Sequence, residues 1–259
     1  MTQPSSSNAA PPAEKPAPQR ALATRIIIGF IALALFCGFI ALGVWQVERR
    51  AWKLALIDRV TTRVAAPAAL APGRADWAGI NAKNDEYRHV TVTGHFLNDQ
   101  ETAVYAATDY GAGFWVMTPL ERDDSDTIVM VNRGFVPTDH KDAATRRQGQ
   151  PDGTVRVTGL LRMDEADGTA LRDNVPQDNR WYSRDVKAMA QFHGLEPANV
   201  APYFIDADNS KNPGGLPLGG LTRITFHNSH LIYAITWFAL ALMVAAGAVF
   251  ALRSGKRRD

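Results

Sequence analysis

Cysteine is almost missing from this chain of 259 residues. The only one is Cys37, so no disulfide framework or dithiol chemistry is available within the chain. A strong charge of either sign is missing too. A net charge of +2, with no basic face interleaved with aromatics, gives no reason to expect nucleic acid as a partner. The common catalytic patterns are absent: there is no G-x-x-x-x-G-K-[ST], G-x-S-x-G, H-E-x-x-H or C-x-x-C-H. The segment Asp206-Ala-Asp208-Asn-Ser210 starts like a calcium loop. It then places Lys211 where glycine must make the sharp turn and Pro217 where a bidentate glutamate should sit, so it reads as a turn. The acidic groups Asp123/Asp124/Asp126 and Asp164/Glu165/Asp167 stand beside Ser or Gly in polar stretches. They are expected to be solvated turns rather than paired catalytic carboxylates. Scattered methionines and one cysteine also disfavour copper carriage, which needs soft sulfur clusters.

Charge is missing locally in two places. Residues 26–47 contain no Asp, Glu, Lys or Arg, and neither do residues 224–252, whose apolar part is Leu231–Leu252. A helix needs about 20 apolar residues to cross a bilayer core, and both runs are long enough. The first run is too long for a signal-peptide core, and no small-x-small site follows it, so it reads as an uncleaved span. The second ends in Arg253, Lys256, Arg257 and Arg258, as a stop-transfer anchor does.

Flanking basic residues near the first run, three on the tail side and four on the loop side, are neutral or slightly adverse to a cytoplasmic N-terminus. Near the second, Arg223 alone stands against four basic residues, which puts both termini in the cytoplasm. The expected organisation is a disordered cytoplasmic tail over 1–25, a first transmembrane helix over 26–47, a periplasmic domain over 48–230, a second transmembrane helix over 231–252 and a basic cytoplasmic tail over 253–259. The tail is rich in Pro, Ala, Ser and Gln, carries Glu14 and lacks the amphipathic pattern of a mitochondrial presequence, which points to a bacterial inner membrane.

Between the spans, residues 48–63 are expected to continue the first helix until the Ala-Pro stretch 65–73 breaks it. The pattern then turns to β. Glu86–Phe96 alternates, and Thr102–Thr108, Phe114–Leu120, Thr127–Arg133 and Thr154–Arg162 follow with turn residues between them. Asp185–Gly194 reads as a short helix; Pro202–Asp206 and Leu221–Thr225 are weaker strand candidates. The fold class is therefore a membrane protein in which two transmembrane α-helices flank an extracytoplasmic, β-rich α+β domain, antiparallel and meander-like, with five to seven strands and a closed or nearly closed sheet.

The chain has six histidines. His89, His95, His140 and His193 sit in alternating or polar contexts and read as surface or packing residues. His227 and His230 stand at the start of the second span. His230, Tyr233, Ala234 and Trp237 follow at i, i+3, i+4 and i+7, on one helical face. Spacing alone favours interfacial anchoring by the aromatics. The other reading is a ligand site: an imidazole is a good iron ligand, and an aromatic below it on the same face suits a flat macrocycle. Trp45 and Arg49 share a face of the first span with Leu42 and Trp52. There Arg49 either snorkels to lipid phosphate or pairs with a carboxylate. The strand end Asn132-Arg133-Gly134-Phe135-Val136-Pro137 reads first as structural, with Gly134 in a turn.

These pieces, in order, resemble the Surfeit-locus (Shy-type) family of cytochrome c oxidase assembly factors. The resemblance rests on Leu42-Gly43-Val44-Trp45-Gln46-Val47-Glu48-Arg49 with Trp52-Lys53, and on Tyr87–Phe96 with Gly94. It continues through Gly113 to Thr118-Pro119-Leu120, Val131–Pro137, Trp181, Asp185 and Asn228–Phe238, covering roughly residues 26–252. One departure is Phe135, where many relatives carry Trp. The resemblance implies a non-enzymatic inner-membrane factor that binds haem a as cargo and aids its insertion into the catalytic subunit of a haem-copper oxidase. It implies His230 as the metal ligand, with Tyr233, Trp237, Trp45 and Arg49 as further cofactor-binding candidates. A haem a synthesis enzyme and the lipid bilayer are the other implied partners. The alternative is a structural chaperone of the oxidase subunit that does not touch haem.

Overall fold

The computed structural model describes residues 18–255 except Asp167, Ala170, Thr225 and His227. Of the expected disordered tail over residues 1–25, residues 1–17 lie outside the described residues, as do residues 256–259 of the basic tail; Pro18–Arg25 are not disordered but form the start of a helix. The chain divides into two units: the described residues of Met1–Ala55 with those of His227–Asp259, and Leu56–Phe226.

Helix α1 runs Pro18–Ala65 and helix α4 runs His230–Gly255. Both contain stretches long and apolar enough to cross a membrane. Helix α1 stops where Ala66, the residue before Pro67, makes its last helical bond to Thr62 O, because a residue preceding proline disfavours helical backbone.

The second unit is built on seven strands: β1 Ala69–Leu70, β2 His89–Phe96, β3 Thr102–Thr108, β4 Gly111–Arg122, β5 Ile128–Pro137, β6 Val155–Met163 and β7 Val200–Ala207. Two short helices, α2 Ala82–Asp85 and α3 Val186–Phe192, lie between them. The sheet order is β1-β2-β6-β7-β5-β4-β3, and β2 also pairs with β4 through Gly94↔Arg122, His95↔Glu121 and Phe96↔Leu120. That second pairing closes β2, β6, β7, β5 and β4 into a barrel.

Closure corrects the antiparallel expectation. Strand directions cannot alternate all the way round a ring with an odd number of members, so one neighbouring pair must be parallel. That pair is β5 and β7, in register at Met130↔Phe204, Val131↔Ile205 and Asn132↔Asp206. The long connection between them, which carries β6 and α3, supplies the crossover a parallel pair needs. The short β1 is also parallel to β2. The expected strand at Leu221–Thr225 does not form among its described residues. Both edges of β7 are already taken by β5 and β6, and Thr222 instead donates its hydroxyl to Asp206.

Alternation sorts the side chains into two cores. Val90 and Val92 of β2, Val129 and Val131 of β5, and Tyr203 and Ile205 of β7 fill the barrel. On the other face of β5 and β7, Met130 and Phe204 pack with Trp181 and with Val186 and Met189 of α3. Helix α3 starts where Asp185 accepts from Ala188 N and Asp164 accepts from Val186 N. Asp164 and Glu165 are therefore half-buried and partnered rather than a free solvated turn: one caps a helix and the other grips Arg184. Asp123, Asp124 and Asp126 are exposed in a turn, as expected, although Asp124 also forms a bidentate pair with Arg122. Asp167 lies outside the described residues.

His193 follows α3, and its Nε2 is 2.8 Å from Thr102 Oγ1. Burial lowers its pKa from 6.5. The unfolded chain therefore binds the proton more readily, and the contribution to stability is present above pH 6.5 and lost as the pH falls through the folded value. His193→Gln should melt increasingly above the wild type as the pH is lowered from 7 to 5. Parallel melting curves across that range would refute the assignment.

Candidate functional site

The first unit carries the histidine singled out above. Helix α4 begins at His230 because the residues before it cap the helix. Ser229 O accepts from Ile232 N and Tyr233 N, and Asn228 Oδ1 accepts from His230 N at 3.4 Å.

The helices meet along a seam with alternating spacings of four and three, as in coiled-coil packing. On α1 the seam residues are Phe39, Gly43 and Gln46; on α4 they are His230, Ala234, Trp237 and Ala241. Gln46, Ala234 and Ala241 are buried. Phe39 stacks on Trp237 with ring centroids 5.7 Å apart and planes 23° from parallel. Gly43 leaves room for Phe238, whose ring would lie 2.5 Å from an added Cβ. At the end of the seam, His230 Nδ1 is 2.7 Å from Gln46 Oε1.

This contact matters chemically. An amide oxygen only accepts, so with Gln46 Oε1 facing the ring Nδ1 is the donor, and the neutral tautomer this contact favours keeps its lone pair on Nε2. Among the described residues, nothing hydrogen-bonds that Nε2. A histidine whose other nitrogen is held by an acceptor has the arrangement of a metal-ligating imidazole. No group of three or more His, Cys, Asp or Glu side chains is placed to hold a metal among the described residues.

The seam gathers His230 and Trp237 but leaves out the other candidates. Tyr233 is 54% exposed and Trp45 53%. Arg49 is exposed, with its guanidinium carbon 4.1 Å from the centre of the Trp52 ring. Leu42 and Trp45 each lie one residue before a seam position, and one residue is a turn of about 100° around a helix. The residue missed by sequence reasoning is Gln46. Its signal was present: it continues the four-and-three spacing from Phe39 and Gly43, and small residues at such spacing mark helix contacts in membranes.

The β-rich unit has its own polar centre. Asp206 on β7 accepts from Arg162, Arg184, Asn132 and Thr222, so the first carboxylate of the segment that opens like a calcium loop is engaged by arginines. Arg162 also pairs with Glu86, and Arg184 with Glu165. Burial works against ionising Glu165, but Arg184 outweighs it and holds the carboxyl below its ordinary value. A cavity of about 470 Å³ opens over this network, between Tyr110, Trp115 and Arg223.

A family model described as "SURF1 family" matches residues 33–242, a range that includes both ends of the seam. Surfeit locus protein 1 of Rattus norvegicus is 40% identical over 215 residues, 77% of this chain and 67% of that protein. The SURF1-like protein of Monosiga brevicollis is 38% identical over 231 residues, 84% of this chain and 85% of that protein. Surfeit locus protein 1 of Homo sapiens is 38% identical over 217 residues, 77% of this chain and 69% of that protein.

Proposed function

The chain belongs to the SURF1 family, and from that premise we propose that it is a membrane-bound, non-enzymatic assembly factor for a haem-copper terminal oxidase. In this reading α1 and α4 cross the inner membrane, both termini are cytoplasmic and the β-rich unit lies in the periplasm. The basic residues after α4 support that orientation. The cargo is haem a and the recipient is the catalytic subunit of the oxidase. A haem a synthesis enzyme is the natural donor.

The observation that carries the cargo assignment is the 2.7 Å contact between His230 and Gln46 at the start of α4. Gln46 fixes the tautomer, and His230 presents Nε2 to an iron. The stacked pair of Phe39 and Trp237 gives the adjoining seam a flat apolar surface. Tyr233, Trp45 and Arg49, on the outer faces, are available to the periphery of the cargo or to lipid. When bound, the haem contributes an iron that accepts the imidazole lone pair.

The test is to purify the full chain in detergent from cells that make haem a and record its absorption spectrum. The wild type should carry a haem chromophore, and His230→Ala should lose it. Gln46→Leu keeps the ligand but releases its orientation, and should weaken haem affinity by about 10- to 100-fold. Equal occupancy in the wild type and His230→Ala would remove His230 from the role. A colourless wild type would leave a structural chaperone of the oxidase subunit.

A further inference from the structure

Arg133 is a buried cation of the β-rich unit with an unpartnered donor. It follows Val129 and Val131 on the inward face of β5, so its side chain lies at one end of the barrel core, 2% exposed. Its Nη2 donates to Gly149 O, its Nη1 reaches Asn98 Oδ1 only at 3.5 Å, and the Phe96 ring centre lies 4.5 Å from its guanidinium carbon. Its Nε has no hydrogen-bond partner among the described residues. Among the described residues no carboxylate forms an ion pair with it either. The acid that acts on it electrostatically is Glu101, and both Glu101 oxygens are taken by Arg146. Burial, partly offset by Glu101, pushes the Arg133 pKa down to about 10.

A buried cation without a counterion is costly, and an orphaned donor on it adds to the cost. Arg133 also lines a cavity of about 230 Å³. The walls are apolar, formed by Phe96, Val131, Val155 and Val157, and the exposed side chains of Arg156 and Lys211 stand among its lining residues. Against these three cations the lining offers one acid, Asp208, which already accepts from Ser210 N. The cavity thus combines a buried, under-partnered guanidinium, two further cations and apolar sides.

We propose that this cavity binds a carboxylate carried on a short apolar stem, with Arg133 as its counterion. The carboxylate oxygen takes the open Arg133 Nε–H, the stem lies along Phe96 and the valines, and Arg156 and Lys211 attract the anion. A glutamate side chain on a partner polypeptide and a free short-chain acid share this chemistry.

The test uses the full chain in detergent at fixed ionic strength and follows thermal unfolding with butyrate, neutral butyramide or acetyl-glutamate-amide. Butyrate should raise the melting temperature of the wild type in a saturable way, and butyramide should not. Tighter binding of acetyl-glutamate-amide than of butyrate would assign the site to a peptide side chain, and the reverse to a free acid. Arg133→Met keeps the length and removes the charge. It should melt no lower than the ligand-free wild type and should not respond to butyrate. The double variant Arg156→Gln/Lys211→Gln, changed only at exposed positions, should still respond, with affinity reduced by up to about tenfold, since each screened charge is worth at most a few-fold. The proposal is overturned if butyrate and butyramide act alike on the wild type, or if Arg133→Met keeps the butyrate response. It is also overturned if Arg133→Met melts well below the wild type while the double variant responds to neither probe.

Discussion

Asp206→Ala is expected to destabilise the β-rich unit by about 3–5 kcal/mol, the usual cost of removing one partner from a buried ion pair. Asp206 is 4% exposed and accepts from four side chains at once. Deleting it leaves Arg162 and Arg184, both largely buried, facing each other without the anion between them. Each keeps a second carboxylate, Glu86 or Glu165, which holds the loss within that range. Asn132 and Thr222 lose their acceptor as well, and Asn132 stands directly opposite Asp206 in the β5–β7 pair. Asp206→Asn keeps the shape and one acceptor oxygen and should cost less. Asp178→Ala, which breaks the solvent-exposed pair with Arg180, should cost about 1 kcal/mol or less. Denaturant midpoints at constant slope would measure all three. Similar losses for Asp206→Ala and Asp178→Ala would contradict the burial argument.

The same network shows where sequence reading stops. Strand positions were legible because alternation of side chains is a local property. The expected Thr102–Thr108 is β3 to the residue, and Glu86–Phe96 differs from β2 only at its start. Pairing direction was not legible, because it depends on closure of the barrel, which involves strands far apart in the chain. The acidic residues failed for a similar reason. Asp164 and Glu165 look like a polar turn until Val186 N and Arg184 come back to them from about twenty residues later.

In the helical unit, the residue types of the site were legible but the orientation of α1 was not. A helix that is apolar on all sides has no polar face to point away from its partner, so amphipathicity cannot locate the seam. Large aromatics drew attention to the face of Trp45 and Arg49. Close packing is decided instead by the small side chains Gly43, Ala234 and Ala241, one residue round the helix from that face on α1.

Gly134→Ala should cost about 3 kcal/mol or more, although it adds only a methyl group. Gly134 has φ +128°, a backbone conformation side chains rarely adopt, and strain of that kind costs of order 1–3 kcal/mol. The added Cβ would also lie 2.1 Å from Leu218 O and 2.6 Å from Gly219 N, both backbone atoms. That strand end cannot move away cheaply. Phe135 N donates to Leu218 O at 2.9 Å and Leu218 N donates back to Phe135 O at 2.8 Å, so relieving the clash breaks a reciprocal pair worth about 1 kcal/mol per bond. Gly153→Ala is the matched control. Nothing lies within 4 Å of its added Cβ and its φ is not in the strained range, so it should be neutral or stabilise by up to about 1 kcal/mol through the unfolded chain. If the two substitutions shift the unfolding midpoint alike, the close approach at Leu218 is not what holds this strand end. If they differ as expected, Gly134 is explained by backbone geometry alone, and Arg133, immediately before it, remains as the residue of this segment whose charge the fold does not satisfy.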